Sequence, residues 1–328
     1  MTLLRRRQFL HLTAGVAALP AVSRVAGAQA YPTRPVRMIV PFAPGGTTDI
    51  FARLLAQKLT ERFGTTFFVE NIGGASGNIG TAQGARAAPD GHTIFIAFTS
   101  FAVNPTMFDK VPYDPFKDFE PVTLAVSSTH VLSINPSLPA KSVRDLVGLI
   151  RTSSGKYSFA SAGVGTPAHL LGEMLRLSQN LDLVHVPYSG GAGPAMASVV
   201  AGHTQVGFST LASASPHIND GKLRALAVTS KARSPMQADL PTMVESGYSD
   251  IGGDAWVGVL VPARTSKDII TLLHREIVRI IALPDMRERL ATVGFEPVGN
   301  TPEEFAAFIK NEIDTWGKVI RAANIKAE

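Results

Sequence analysis

The chain has 328 residues, 45% of them apolar and 17% charged, with a formal net charge of +5 and no cysteine. This length and apolar content suit one large or two ordinary globular domains and exclude a disordered protein. The absence of cysteine excludes disulfides, thiolate chemistry and attachment of a lipid to an N-terminal cysteine.

Residues 1–30 have the character of an export signal. Three consecutive arginines precede a short apolar stretch, and Ala28-Gln29-Ala30 is a small-residue cleavage site, so we expect cleavage after Ala30. A Sec and a twin-arginine route both remain open. The segment carries four Arg and no acid, so its removal lowers the formal charge from +5 to +1. The mature chain then lacks the clustered basic surface of a nucleic-acid-binding protein.

From Tyr31 onward, β-rich runs alternate with amphipathic helical patterns. The predicted strands are Val36–Val40, Phe67–Val69, Thr93–Phe98, Val122–Val126, Val131–Ile134, Tyr157–Ala160, Leu183–Val186, Val206–Phe208, Leu226–Val228 and Trp256–Val261. The predicted helices are Ile50–Phe63, Ser142–Arg151, Ala168–Ser178 and Pro194–Ala201, with three more that begin after Ser266, at Pro284 and at Pro302. This alternation predicts open α/β sheets in two lobes, with a ligand cleft between them.

Three glycine-rich loops stand where a predicted strand passes into a predicted helix. They read PFAPGGTTD at 41–49, ENIGGASGNIGTAQGA at 70–85 and ASAGVGTPAHLLGEML at 160–175, and VPYSGGAGPAM at 186–196 repeats the design. Backbone N–H groups at helix N-termini, with Ser and Thr hydroxyls, can hold a carboxylate without any cationic side chain. One such loop is explained by a tight turn alone, but three favour a shared anionic ligand.

The motifs of common enzymes are missing or incomplete. None of the loops has the lysine of a Walker A motif, Gly163-Val164-Gly165 lacks the third glycine of a dinucleotide site, and no G-x-S-x-G occurs. His169 and Glu173 stand four residues apart and could ligate a metal, but no third ligand stands near them in sequence. A local hydrogen bond is the simpler role for His169. The residues therefore argue against a nucleotide site, a serine-hydrolase site and a metal site.

Several ordered segments resemble those of a known family. They are YPTRPVRMIVPFAPGGTTDIFARLLAQKL, VENIGGASGNIGTAQGARAAPDGHTIFIAF, VPYDPFKDFEPVTL, FASAGVGTPAHLLGEML, VPYSGGAGPAMASVVAG and LPTMVESGY, and the likeness continues to the C-terminus. This pattern resembles the Bug family, the periplasmic solute receptors of tripartite tricarboxylate transporters. The resemblance implies a two-lobed periplasmic-binding-protein fold of type II-like architecture. We expect residues 31–128 with 253–328 to form one lobe, and 129–252 the other.

The resemblance also implies a ligand and its binding residues. The ligand would be a small organic mono- or dicarboxylate, bound with no enzymatic step and no cofactor. The partners would be a large and a small membrane subunit of the transporter. We expect the receptor itself to be monomeric. The expected binding residues are Phe42, Gly46, Thr47, Thr48 and Asp49 in the first loop, Asn71, Gly77 and Asn78 in the second, Ser161, Gly165, Thr166 and His169 in the third, and Tyr188, Thr210 and Asp254. Asp49 can equally cap N–H groups of the first helical turn.

One departure and two alternatives complete the interpretation. The chain reads Phe208-Ser209-Thr210 where the family often has an acidic pair, which argues against an amino acid as the ligand. Asp49 and Asp254 are the alternative acids for a ligand amine. A receptor that presents its ligand to a sensor kinase would use the same lobes. A secreted enzyme would need a reactive dyad in the cleft.

Overall fold

The computed structural model describes residues 31–153, 155–188 and 192–327. The predicted export signal and its cleavage site lie outside these residues. The described chain folds into two α/β lobes, each built around one mixed β-sheet. Within the described residues, none of the helices has the length and apolar character needed to cross a membrane.

Both sheets combine parallel and antiparallel pairs. The strands are β1 (Val36–Val40), β2 (Phe67–Asn71), β3 (Thr93–Phe98), β4 (Phe119–Ser128), β5 (His130–Ile134), β6 (Tyr157–Ser161), β7 (Leu183–Pro187), β8 (Val206–Thr210), β9 (Arg224–Val228), β10 (Ala255–Pro262) and β11 (Glu296–Pro297). The first sheet has the order β11-β4-β10-β3-β1-β2 and the second β7-β6-β8-β5-β9. In the first sheet β1 runs parallel to β2 and β3, while β10 is antiparallel to β3 and β4. In the second, β6 is parallel to β7 and β8, and β5 is antiparallel to β8 and β9.

Helices cover these sheets. They are α1 (Thr47–Phe63), α2 (Asn78–Ala85), α3 (Ser100–Met107), α4 (Val143–Arg151), α5 (Pro167–Ser178), α6 (Ala192–Ala201), α7 (Leu211–Asn219), α8 (Lys267–Ile281), α9 (Pro284–Thr292) and α10 (Pro302–Ala322). The Ser266 hydroxyl accepts a hydrogen bond from the Ile269 amide and starts α8, as the sequence predicts. Pro284 and Pro302 are first helical residues because proline has no amide hydrogen to leave unpaired there.

Each predicted strand is present, but α2, α3 and α7 are not among the helices that the sequence analysis names. The other differences lie mostly at element boundaries. The structure adds β11, which is too short to show an apolar pattern. It also begins α6 at Ala192 instead of Pro194, so this proline lies within the first turn and does not open the helix. Proline is tolerated there because amides of the first turn have no intrahelical acceptor.

Two helices of the first lobe extend to the second lobe. Helix α10 packs on α3 and β4 and also contacts α5. At the end of α3, Met107 lies so close to Gly165 that a Cβ on the glycine would clash with the Met107 Sδ. The third glycine-rich loop is therefore positioned by packing from the first lobe as well as by its own sheet.

Candidate ligand-binding site

A cavity of about 210 Å³ lies at the carboxyl ends of β6 and β8 in the second lobe. Phe98, at the end of β3, contributes a wall from the first lobe, and its ring packs edge-to-face on Phe42 with centroids 5.7 Å apart. The residues around the cavity are Phe98, His130, Ser133, Ala160, Ala162, Thr166, Pro167, Ala168, Ala192, Ala195, Met196, Val199, Gly207, Phe208, Ser209 and Thr210. Helices α5, α6 and α7 all begin at or beside this wall.

The lining is apolar apart from four hydroxyls and one imidazole. Among the described residues, it includes no Lys, Arg, Asp or Glu. The imidazole belongs to His130, whose Nδ1 is buried without a hydrogen-bond partner. Burial lowers the pKa of His130 to about 4, so its ring is neutral at pH 7. The cavity thus offers polar contacts but no formal charge.

The first glycine-rich loop is held by a buried carboxylate. Asp49 Oδ2 accepts from the Gly45 amide at 2.9 Å and from Arg53 Nε at 3.0 Å, and Oδ1 accepts from Asn71 Nδ2 at 2.8 Å. Burial favours the neutral acid, but these hydrogen bonds outweigh it and lower the pKa of Asp49. The carboxylate therefore bonds to the loop and not to the amides of the first helical turn. Among the described residues, the amides of Thr47 and Thr48 have no acceptor.

The second glycine-rich loop packs against the first. Asn71 Nδ2 also donates to the Phe42 carbonyl at 3.1 Å. Gly77 has a φ of 92°, and a Cβ there would stand 3.5 Å from the Phe42 ring. The Asn78 side chain accepts from Asn104 Nδ2 at 2.8 Å, which fastens the start of α2 to α3. Asn71 and Gly77 therefore pack against the first loop, while Asn78 links α2 to α3.

The third glycine-rich loop closes on itself around Thr166. The Thr166 hydroxyl accepts from the His169 amide at 3.4 Å and donates to the Gly163 carbonyl at 2.7 Å. His169 Nδ1 accepts from the Gly165 amide at 3.0 Å, which agrees with a local hydrogen-bonding role for this histidine. The Thr166 hydrogen is thus already committed, while the Ala168 amide at the cavity wall has no acceptor among the described residues.

Two stacked histidines support this third loop. The rings of His169 and His185 are 3.7 Å apart and nearly parallel, and His185 Nε2 is 2.7 Å from the Ser161 hydroxyl. Burial lowers the pKa of His169 to about 3, with help from the nearby His185 and Arg176, and lowers that of His185 to about 4. Glu173 is 3.9 Å from His169 but is ion-paired with Arg176. Of the described residues, no group of three or more His, Asp or Glu could hold a metal.

Two further candidates, Tyr188 and Asp254, lie outside the cavity lining. The Tyr188 hydroxyl donates to the Ser198 hydroxyl on α6, while the residue packs beside the apolar cluster that includes Met196. Asp254 accepts from the Thr229 hydroxyl at 3.2 Å, beside the segments that join the two sheets. Burial raises the pKa of Asp254 to about 6. Neither residue lines the cavity.

Of the fifteen candidates, Thr166 and Thr210 line the cavity, and Phe42 is one ring away from it. The first-loop candidates and Asn71, Gly77 and Asn78 belong to the opposite lobe. The sequence analysis missed His130 and Ser133, although a histidine that begins an otherwise apolar strand is a usable signal. It also missed the apolar side chains of α6, which read as ordinary core residues.

Comparison with known proteins agrees with this architecture. A family model described as a tripartite tricarboxylate transporter family receptor matches residues 51–325. The chain is 36% identical to protein BugT of Bordetella pertussis over 316 residues, which cover 96% of this chain and 95% of BugT.

Three solved structures share the fold over nearly the whole described chain. The periplasmic binding protein BugD is 35% identical, with a TM-score of 0.72, over 91% of this chain and 100% of BugD. Rpa4515 of R. palustris with adipate is 32% identical, with a TM-score of 0.75, over 90% and 99% of the two chains. MatC from Rhodopseudomonas palustris with bound malate is 30% identical, with a TM-score of 0.71, over 88% and 100%.

Proposed function

This chain belongs to the tripartite tricarboxylate transporter receptor family, a family of periplasmic solute-binding proteins, and we propose that it captures a small organic carboxylate for uptake. The carboxylate would be delivered unchanged to a large and a small membrane subunit of such a transporter. We further propose that the receptor is monomeric, needs no cofactor and catalyses no reaction.

The observation that carries this proposal is the start of α5 at the cavity wall. Its Ala168 amide has no acceptor among the described residues, and the helix N-terminus adds a positive dipole end. A carboxylate placed there would gain charge-assisted hydrogen bonds without a cationic side chain. The solved relatives bound to adipate and malate support the same ligand class.

The ligand would be enclosed between the two lobes. We propose lobe boundaries at residues 31–128 with 253–328 and at 129–252. In support, β4 ends at Ser128 in the first sheet and β5 begins at His130 in the second, while β9 and β10 lie in different sheets. The unpaired amides of Thr47 and Thr48 would then face the solute from the opposite lobe.

Two measurements test the proposal. Titration calorimetry should show saturable binding of an organic acid and no binding of its methyl ester at the gripped carboxylate, since helix amides would then face a neutral, bulkier group. Small-angle scattering should show a smaller radius of gyration when that acid saturates the protein. Equal affinity for acid and ester would overturn the carboxylate grip, and turnover of the acid would overturn the transport role.

A further inference from the structure

The wall of the cavity contains one buried polar ring that is not used to hold the fold together. His130 begins β5, is only 4% exposed and lines the cavity. Neither nitrogen of its ring hydrogen-bonds to another of the described residues, and Nδ1 is fully enclosed. Buried polar groups in native proteins are normally hydrogen-bonded, because leaving one unpaired is costly. The imidazole is therefore available to a solute in the cavity.

A threonine hydroxyl stands beside this ring. Strands β5 and β8 pair antiparallel with His130 directly opposite Thr210, and directly opposed residues place their side chains together on one face of the sheet. The Thr210 hydroxyl donates its hydrogen to the Ser213 hydroxyl at 2.8 Å, so it offers the cavity only lone pairs. The imidazole is neutral at pH 7 and therefore has one donor and one acceptor nitrogen.

We propose that His130 determines specificity by hydrogen-bonding to a hydroxyl group of the solute, so that the preferred solute is a hydroxylated carboxylate. The inference rests on the proposed function, since it assumes that a carboxylate is held at the start of α5. Ala168, at that helix start, lines the same 210 Å³ cavity as His130, so one small solute can contact both. The inference applies equally to a solute with one carboxylate and to one with two, because the amides of Thr47 and Thr48 can receive another.

A hydroxyl suits this wall better than other oxygen groups do. It both donates and accepts, so it can accept from the imidazole N–H while it donates to Thr210 Oγ1, or donate to the other ring nitrogen. A carbonyl or carboxylate oxygen only accepts, and it would bring its lone pairs against those of Thr210 Oγ1. A methylene would leave the imidazole of His130 unpaired. We therefore expect hydroxy acids to bind more tightly than the matching keto and deoxy acids.

Three series of acids measure this preference. Lactate, pyruvate and propionate differ only at C2, 3-hydroxybutyrate and butyrate differ by one hydroxyl, and malate and succinate do the same for a dicarboxylate. Calorimetry at pH 7.5, with both enantiomers of each hydroxy acid, should give at least tenfold tighter binding of the hydroxy acid in one series or more. A smaller preference in every series would overturn the inference while leaving the proposed function intact. If none of these acids binds, the proposed function fails, and the inference fails with it.

Three variants assign the preference to the imidazole. His130→Leu breaks no hydrogen bond between described residues, so it should not lower stability in urea unfolding. It should reduce the hydroxyl preference below threefold and leave the affinity for the deoxy acid unchanged. His130→Gln keeps a neutral donor and acceptor and should retain a preference that His130→Leu loses. His203→Leu, at an exposed position between α6 and β8, should change neither affinity.

Two results with these variants would refute the inference. A full hydroxyl preference in folded His130→Leu would mean that another group binds the hydroxyl. Equal loss of the preference in His130→Leu and His130→Gln would assign the effect to the shape of the ring and not to its hydrogen bond. Should His130→Leu fail to fold, a preference absent from folded His130→Gln would refute the inference on its own.

Discussion

The first and third glycine-rich loops use the same hydrogen bond to fold, yet they differ in charge. In each, the side chain of the third helical residue accepts from the amide four residues earlier: Asp49 from Gly45 and His169 from Gly165. Both glycines have positive φ, 91° and 75°, which glycine adopts without strain. The two loops of opposite lobes therefore present their helix N-termini through one local design.

The acceptor is an anion in the first loop and a neutral ring in the third. Asp49 is compensated by Arg53 and Asn71, so the first loop carries a buried charge that its neighbours satisfy. His169 has a lowered pKa and rests on the neutral His185, so the third loop adds no negative charge near its helix N-terminus. An incoming carboxylate meets less repulsion at the third loop. The first loop is therefore stabilised by a buried carboxylate, and the third by a neutral imidazole that stacks on a second one.

The largest expected effect comes from removing the charged support of the first loop. Asp49→Ala removes the acceptor of the Gly45 amide and of Arg53 Nε, and one of the two acceptors of Asn71 Nδ2. It should lower the free energy of unfolding by about 2–3 kcal/mol. Asp145→Ala is the matched control. Asp145 is also the third residue of its helix and accepts from the Lys141 amide, but it is exposed. Urea unfolding should show a much smaller loss there, and equal losses would remove burial as the cause.

The next largest effect is expected from acidification, which should destabilise the protein through His169 in the third loop. The unfolded-state pKa of His169 is 6.5 and its folded pKa is about 3, so between these values only the unfolded chain binds the proton. Stability therefore falls as the pH drops below 6.5, by about 2 kcal/mol for this residue between pH 7.5 and 5. His130 and His185 act in the same direction, whereas Asp254, with its raised pKa, opposes them.

Two replacements of His169 test that sign. His169→Asn removes the proton site but can keep an acceptor near the position of Nδ1, so its acid loss should be about 2 kcal/mol smaller than that of the parent chain. His169→Gln should flatten the acid slope equally but lose stability at pH 7.5, because its oxygen mimics Nε2. Urea unfolding at both pH values measures this, and an acid slope that stays unchanged in both variants would contradict the assignment.

The open face of the first loop gives a smaller effect, on affinity alone. Gly46 has a φ of −76°, and a Cβ there meets no atom within 4 Å, so Gly46→Val should fold without strain. If the solute rests against this loop, calorimetry should show affinity at least tenfold weaker, about 1.4 kcal/mol. Gly148→Val, at an exposed position of α4 where a Cβ also meets no atom within 4 Å, should leave the affinity for the solute unchanged. Full affinity in Gly46→Val would leave the solute in contact with the third loop alone.

The sequence predicts the alternation of strands and helices well because the strands other than β11 contain an apolar run, and α8 and α10 begin at a side-chain cap. Ser266, Pro284 and Pro302 each mark a helix start through their own side chain, and each stands at a helix start in the structure. The site is predicted less well because the residues that line it are brought together by the pairing of strands that lie far apart in the sequence. His130 reaches the cavity because β5 pairs antiparallel with β8 and sets it opposite Thr210, which no spacing along the chain reveals.

The smallest expected effect concerns Thr166, which the sequence analysis expects to bind the solute. Removal of a direct charge-assisted hydrogen bond at this residue would reduce affinity about 10- to 150-fold. In the structure its hydrogen goes to the Gly163 carbonyl, so the hydroxyl holds the loop and caps α5. Thr166→Val keeps the branched shape and should cost about 1 kcal/mol of stability, with affinity reduced less than about threefold. Thr301→Val removes an equivalent cap from α10 and should match that stability loss without any change in affinity. Thermal unfolding and calorimetry on both variants compare the two caps directly. A hundredfold loss of affinity confined to Thr166→Val would mean that its hydroxyl turns to the solute on binding, and that the third loop is less self-contained than the first.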